Sequence, residues 1–309
     1  MIVDAHLHLW DKVRGRVGNK RLVGLKNGLV RFGHRVVVGM PPLLTDGRNT
    51  AERCMALMDA AGVDGAVVVQ EFMDGNQNAY LARVRRTYPD RFYCHALLEF
   101  RRPDGCWRQY RHAVDRLGLQ GVKVPATYLA GMTPRVYLTD LRFMRIWADM
   151  EARGMVLSLD LASGDVQCAE VRQIARAFPK LKIAVGHFGM VTRSGWMNQI
   201  RLAEAHNVWI ESGGITWLFR HEGPPFAGAQ KAIRQAARAV GIDKLMWGSD
   251  YPRTTVEFTY RQTLDFVRDG CEFLSPKDKR LLLGGTARRV YGFKTPKKAR
   301  QPIPRITED

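Results

Sequence analysis

The sequence predicts a single (β/α)8 barrel, an α/β TIM-type fold, on three observations. Eight short, continuously apolar runs are spread along the chain. Segments with helical spacing separate them, as expected for parallel strands joined by helical crossovers. No G-x-G-x-x-G follows the first run, which weakens the competing open doubly wound sheet. At 309 residues the chain is long enough for one barrel of roughly 250 residues or for two ordinary domains.

The apolar runs lie at 2–5, 65–70, 92–98, 121–124, 155–159, 182–186, 208–210 and 244–247. None alternates with polar residues, which is the pattern of strands covered on both faces. Helical spacing begins at 51–61 (AERCMALMDAA) and stops at Gly62, where a left-handed residue ends a helix at little cost. Further helices are expected at 78–88 before Pro89, at 141–153 before Gly154 and at 165–178 before Pro179. Two more, at 228–240 and 256–269, end on Gly241 and Gly270. A last one at 275–283 opens on Ser275-Pro276, a capping side chain followed by a residue suited to the first helical position. The segment 9–50 is a long loop after the first strand, so it emerges at the mouth of the barrel and reads as a lid. Trp10 and Met40-Pro41-Pro42 would give it some order. The barrel is expected to occupy 1–293, and the basic, Pro-containing stretch 294–309 to be a disordered or loosely packed tail.

Composition narrows the class. With 46% hydrophobic and 25% charged residues the chain is an ordinary globular protein, neither disordered nor fibrous. Its 5 cysteines are scattered without a C-x-x-C pair, so buried free thiols are expected rather than disulfides or a structural zinc site. No apolar run approaches the ~20 residues that span a bilayer. The opening MIVDAHLHLW lacks the basic and apolar regions of a secretory signal, and a cytoplasmic location is expected. Lys and Arg number 48 against 30 Asp and Glu, a net charge of +18. More than half of that excess lies in 11–35, where Asp11 is the only acid, and in the tail. Such charge attracts anions, from small substrates to nucleic acid. No zinc finger, RNA-recognition signature or basic heptad region supports nucleic-acid binding, so a small anionic substrate is the expected partner. Neither a P-loop nor a G-x-S-x-G elbow is present.

The chemistry-bearing residues cluster at predicted strand ends. In an extended segment His6 and His8 point to the same side, and two imidazoles there can chelate a divalent metal. Asp250 directly follows the eighth run, where it can serve the site or cap a turn. His187 ends the sixth run beside Gly186 and Gly189, which let backbone and ligand come close. Lys123 lies in the fourth run, where a cation can bind a substrate carboxylate or carbonyl oxygen. Gln70, Glu71, Glu99 and Glu211 end other strands, and Arg220, His221 and Arg253 follow the last two. For these a structural hydrogen bond is as good a reading as a functional one. Ordinary structural roles are expected for His34, His95, His112 and His206.

DAHLHLW, GVDGAVVVQ with GNQNAYL, YPDRF, VGHFG, GSDYP and GTARRVYGF together resemble the amidohydrolase-related group of the amidohydrolase superfamily. The resemblance runs over nearly the whole chain, and the H-x-H start with the later GSD is its specific part. It implies a distorted barrel, and a hydrolase such as a lactonase or a non-oxidative decarboxylase of unsaturated or aromatic acids. By position it makes His6 and His8 metal ligands, His187 the sixth-strand histidine, and Asp250 a ligand, a general base or both. One departure stands out: metal-dependent relatives usually carry a histidine at the end of the fifth strand, where this chain has Asp160. Either the carboxylate binds zinc or manganese in its place, or the metal is lost, as in some lactonases of this group. In this subgroup a basic residue at the place of Lys123 more often binds substrate. Members of the family are often dimers or larger.

The leading expectation is a hydrolase that opens a small carboxylated lactone. One divalent metal, zinc or else manganese, would sit on His6, His8, Asp250 and Asp160. Asp250 would take the proton of the attacking water, while His187 and Lys123 stabilise the oxyanion. Lys123, Arg253 and Arg220 would bind the substrate. A metal-free version keeps Asp250 as base. The alternative is a metal-dependent decarboxylase using the same residues.

Overall fold

A computed structural model describes residues 1–294. Eight parallel strands form one sheet: β1 (Val3–His8), β6 (Gly65–Val69), β7 (Phe92–Leu97), β8 (Gly121–Val124), β9 (Val156–Leu159), β10 (Lys182–Val185), β11 (Val208–Glu211) and β12 (Leu245–Met246), paired in that order. The last is short, yet the barrel closes. Ala5 N donates to Trp247 O at 2.9 Å and His8 N to Tyr251 O at 2.7 Å, so the chain beyond β12 completes the ladder to β1. All eight strands fall on the apolar runs of the sequence, and the barrel class is as expected.

Helices cover the outside: α1 (Ala51–Ala61), α2 (Asn78–Thr87), α3 (Cys106–Arg111), α4 (Ala126–Ala130), α5 (Leu141–Ala152), α6 (Cys168–Ala177), α7 (Trp196–Ile200), α8 (Ile215–Leu218), α9 (Ala227–Val240), α10 (Tyr260–Arg268), α11 (Pro276–Arg280) and α12 (Thr286–Tyr291). Their inward faces recur every third or fourth residue, as in Cys168, Val171, Ile174 and Ala175 of α6. Ser275 caps α11 through Asp278 N, as its sequence position predicts. The turns around 103–116 and 196–204 are also helical, which the charged, glycine-containing sequence there hid. The five cysteines are buried and unpaired. Among the described residues no helix is long and apolar enough to cross a membrane. All of the predicted tail except Lys294 lies outside the described residues.

Trp147 on α5 anchors the outer core. It is fully buried, its ring lies beside Phe100 and Phe143, and Nε1 donates to Leu138 O at 2.9 Å. Trp147→Ala is expected to cost about 3–5 kcal/mol in denaturant unfolding. A loss below about 1 kcal/mol would contradict this packing.

The segment after β1 differs from the expected loop. It folds into a four-stranded antiparallel sheet, β2 (Arg16–Val17), β3 (Lys20–Gly24), β4 (Leu29–Phe32) and β5 (Arg35–Val38). Asn27 and Gly28 carry positive φ of 56° and 75° and join β3 to β4. Two positive φ values in succession make the turn that matches strand twist, and Asn-Gly is the dipeptide that adopts it most easily. Trp10, Val13, Leu22, Val30, Met40 and Leu44 form the small core of this insert.

A β-bulge aims the site. Val3 and Ala5 pack inside the barrel with Val67, Val69 and Ala184, whereas Leu7 and Leu9 join the core shared with the helices. The switch coincides with a register shift between Asp4 and Leu7. It turns His6 and His8 to the interior side. Asp4 faces the opposite way and accepts from Ser249 N at 2.9 Å and Tyr260 OH at 2.9 Å. That tie fixes the end of β1 against the segment that carries Asp250.

Candidate active site

His6 and His8 stand at the C-terminal mouth of the barrel, each braced from behind. The Nδ1 of His6 lies 2.6 Å from Glu211 Oε1, and the Nδ1 of His8 lies 2.7 Å from Asp74 Oδ2. A carboxylate on Nδ1 fixes the tautomer that leaves Nε2 free. The two Nε2 atoms lie 3.2 Å apart. Asp250 Oδ1 completes the group at 3.3 Å from His8 Nε2 and 3.7 Å from His6 Nε2. Asp250 has a φ of 57°, and its N–H donates to His6 O at 2.8 Å, so β1 itself holds the aspartate in this strained backbone region.

Electrostatics act differently on the two imidazoles. Burial and the nearby Lys123 hold the His6 imidazole well below its ordinary range. Burial opposes protonation of His8 too, but Asp74 and Asp250 outweigh it and raise that group well above the usual value. Burial pushes Asp250 up while its hydrogen bond with His8 and the surrounding histidines pull harder, so it is lowered overall. Two imidazole nitrogens and a carboxylate oxygen with carboxylates behind both rings is a donor set that fits a divalent cation. His6, His8 and Asp250 offer ligand atoms within 4.8 Å of one another, and so does a second group of His6, Asp160 and His187.

The second group is balanced differently. Lys123 Nζ lies 2.5 Å from Asp160 Oδ1 and His187 Nε2 lies 3.4 Å from Asp160 Oδ2. Burial works against charge on His187, but Asp160 prevails and raises it to about 10, so the ring is cationic at neutral pH. Its Nδ1 donates to Gly213 O at 2.9 Å. Asp160 therefore stands between two cations, with an oxygen also within 4.8 Å of a His6 ring nitrogen, so His6 is common to this group and to the one with His8 and Asp250. Burial raises Glu71 well above its usual value, and the negative charge of Asp160 adds to this. Burial likewise raises Glu211 to about 7, against the pull of His187 and Lys123.

Close approach demands glycine at the sixth strand end. A Cβ on Gly186 would lie 2.1 Å from Asp160 Oδ1 and 2.7 Å from Glu211 Oε1. Both carboxylates are held by other partners and cannot retreat cheaply.

Above these groups lies a cavity of about 350 Å³. His8, Asp160, His187, Asp250, Glu71 and Asp74 supply its polar floor, and Arg253 lies at its edge over the Trp217 ring, 4.9 Å from the centroid. Its walls and roof are apolar: Trp10, Leu22, Val30 and Met40 come from the insert, Tyr128 from α4, Trp217 from α8, and Met190 from the turn after β10. Two expected substrate contacts are placed elsewhere. Lys123 is fully buried and paired with Asp160, and it does not line the cavity. Arg220 is 3.8 Å from Glu257 and does not line the cavity either. Glu99 is paired with Arg101, and Gln70 donates to Asn78 and His95 O, both in structural roles.

Asp74 escaped the sequence reading. It follows the second strand in a polar loop, and nothing in its spacing pairs it with His8, 66 positions earlier. Asp74→Asn and Glu211→Gln each keep shape but remove the charge behind one imidazole. Each is expected to weaken zinc affinity by about 10- to 100-fold in competition with a chelator. Unchanged affinity in both would show that these carboxylates do not support the histidines.

The fold and the site together define a barrel enzyme with its chemistry at the C-terminal mouth. The amidohydrolase family model matches residues 3–293, and the chain belongs to that family. No curated protein sequence matches it. Among solved structures, it resembles a probable 2-pyrone-4,6-dicarboxylic acid hydrolase from Acinetobacter baumannii with citric acid bound. The TM-score is 0.67 at 17% identity, over 94% of this chain and 99% of that one. An amidohydrolase from Burkholderia multivorans with bound zinc is similar at TM-score 0.67 and 19% identity, over 94% and 99%. A 5-carboxyvanillate decarboxylase from Sphingomonas paucimobilis follows at TM-score 0.56 and 19% identity, over 83% and 85%. At these identities the likeness is one of fold.

Proposed function

We propose that the protein is a metal-assisted hydrolase that opens a carboxylated lactone at the mouth of the barrel. The observation that carries this reading is the pair of imidazoles, each braced by a carboxylate, with Nε2 atoms 3.2 Å apart beside Asp250. His6, His8 and Asp250 would hold the ion, and zinc suits two imidazoles and a carboxylate. Bound there, it would lower the pKa of water towards ~7 and polarise a carbonyl. Asp250, ionised and facing the cavity, accepts the proton of the attacking water and returns it to the leaving alkoxide. His187, cationic and lining the cavity, stabilises charge developing on the carbonyl oxygen. Lys123 acts through Asp160, holding that carboxylate in place below the cavity. Arg253, exposed and without an ion-pair partner among the described residues, takes the substrate carboxylate.

A second reading, decarboxylation of an unsaturated or aromatic acid by the same residues, is favoured by the apolar walls of the cavity. Loss of carboxylate charge as carbon dioxide leaves is easier in an apolar surrounding. Zinc-loaded protein offered a panel of lactones and aromatic acids separates the two. Ring opening without carbon dioxide supports the first reading, and carbon dioxide release without ring opening replaces it with the second. Activity towards neither class would overturn both.

A further inference from the structure

We propose that the antiparallel sheet inserted after β1 is the specificity element of this site, and that it selects a monocarboxylate with an apolar body. The body lies between insert and barrel, and the carboxylate rests on Arg253. This rests on the reading of the cavity as the substrate site.

Charge placement is the first argument. The eight basic residues from Lys12 to Arg35 are all exposed, and none lines the cavity. What the insert offers the substrate is Trp10, Val13, Leu22, Val30 and Met40, all buried and apolar. The positive charge that stands out in the sequence therefore faces solvent, and the roof is a hydrophobic surface.

The floor supplies the second argument. Glu71, Asp74, Asp160 and Asp250 already line it, and His8 and His187 are engaged with them. Among the described residues, Arg253 is the one arginine or lysine lining the cavity. A first carboxylate meets a guanidinium that has no carboxylate partner among the described residues. A second carboxylate at the far end of the same molecule would lie against the apolar roof of Trp10, Leu22, Val30 and Met40, which costs far more than leaving it in water.

Size is the third. An apolar cavity of about 150 Å³ accommodates benzene. A space of about 350 Å³ holds roughly twice that, one ring with a chain of several carbons or two fused rings. A compact acid of a single small ring would leave the roof without contacts.

Trp10 and Trp217 both line the cavity, so their fluorescence reports binding without turnover. The test titrates zinc-loaded protein with straight-chain alkanoates from butanoate to octanoate, and with octanedioate. Affinity should rise about three- to fourfold per methylene. Octanedioate should bind at least about tenfold more weakly than octanoate. Arg253→Ala, which alters an exposed side chain, should weaken octanoate about tenfold and leave octanamide unchanged. Val30→Ala and Met40→Ala, checked for an unaltered melting transition, should flatten the chain-length dependence. A flat series, octanedioate binding as tightly as octanoate, or a slope untouched by both insert variants would overturn the proposal. If the binding pattern holds while no lactone is opened, the hydrolytic reading fails and the specificity assignment stands.

Discussion

Asp250→Asn lowers kcat for lactone opening by about 10³-fold, within the range for removing a positioned base. Asparagine keeps the size of the side chain and tolerates the left-handed backbone that Asp250 adopts at φ 57°. The hydrogen bond from the residue 250 N–H to His6 O survives as well. What disappears is an ionised oxygen 3.3 Å from His8 Nε2. The loss should appear in kcat, with KM little changed, because Arg253 still holds the substrate. Steady-state kinetics of the two proteins, each reloaded with zinc, provide the measurement. An Asn variant that keeps more than a tenth of parental kcat would show that another group handles the proton.

His6→Ala combined with His8→Ala removes both imidazoles and is expected to abolish metal binding as well as turnover. Elemental analysis should find about one zinc or manganese ion per parental chain and almost none in the double variant. Stability should also fall, by about 1–3 kcal/mol, because Glu211 stays buried after losing the ring nitrogen 2.6 Å away. Equal metal content in the two proteins would place the ion elsewhere. A parent that takes up no metal when zinc and manganese are supplied would leave Asp250 to act alone.

The barrel was legible because its strands are buried on both faces. That constraint writes itself into continuous apolar runs, and the glycines and prolines between them mark where helices stop. The insert was less legible. Its strands are short and carry exposed Arg and Lys, so periodicity is faint, and Asn27-Gly28 is the local signal that points to a hairpin there. The helix at 106–116 was hidden for a similar reason: it begins just after Pro103 and Gly105 and is rich in charge.

The site was legible in its residue types and only in part in its geometry. His6, His8, His187 and Asp250 are brought together within a few ångströms, as their strand-end positions predict. Asp160 and Lys123 are there too, but each is the other's partner, so Lys123 faces a carboxylate where a substrate contact was expected. A sequence shows that an ammonium is buried; it does not show which buried carboxylate, 37 positions away, neutralises it. Asp74 was missed on the same ground.

By itself, then, the sequence determined the barrel class, the order of its strands and which strand ends carry histidines and acids, because burial and periodicity are local constraints. Tertiary structure decided the rest. A bulge in β1 chose the side to which the histidines turn, since alternation fixes relative but not absolute facing. Charge pairing between residues distant in the chain chose which acids brace imidazoles and which neutralise Lys123. Folding of the insert put its charges in solvent and Trp10, Val13, Leu22, Val30 and Met40 over the cavity, because packing against the barrel mouth buries those side chains.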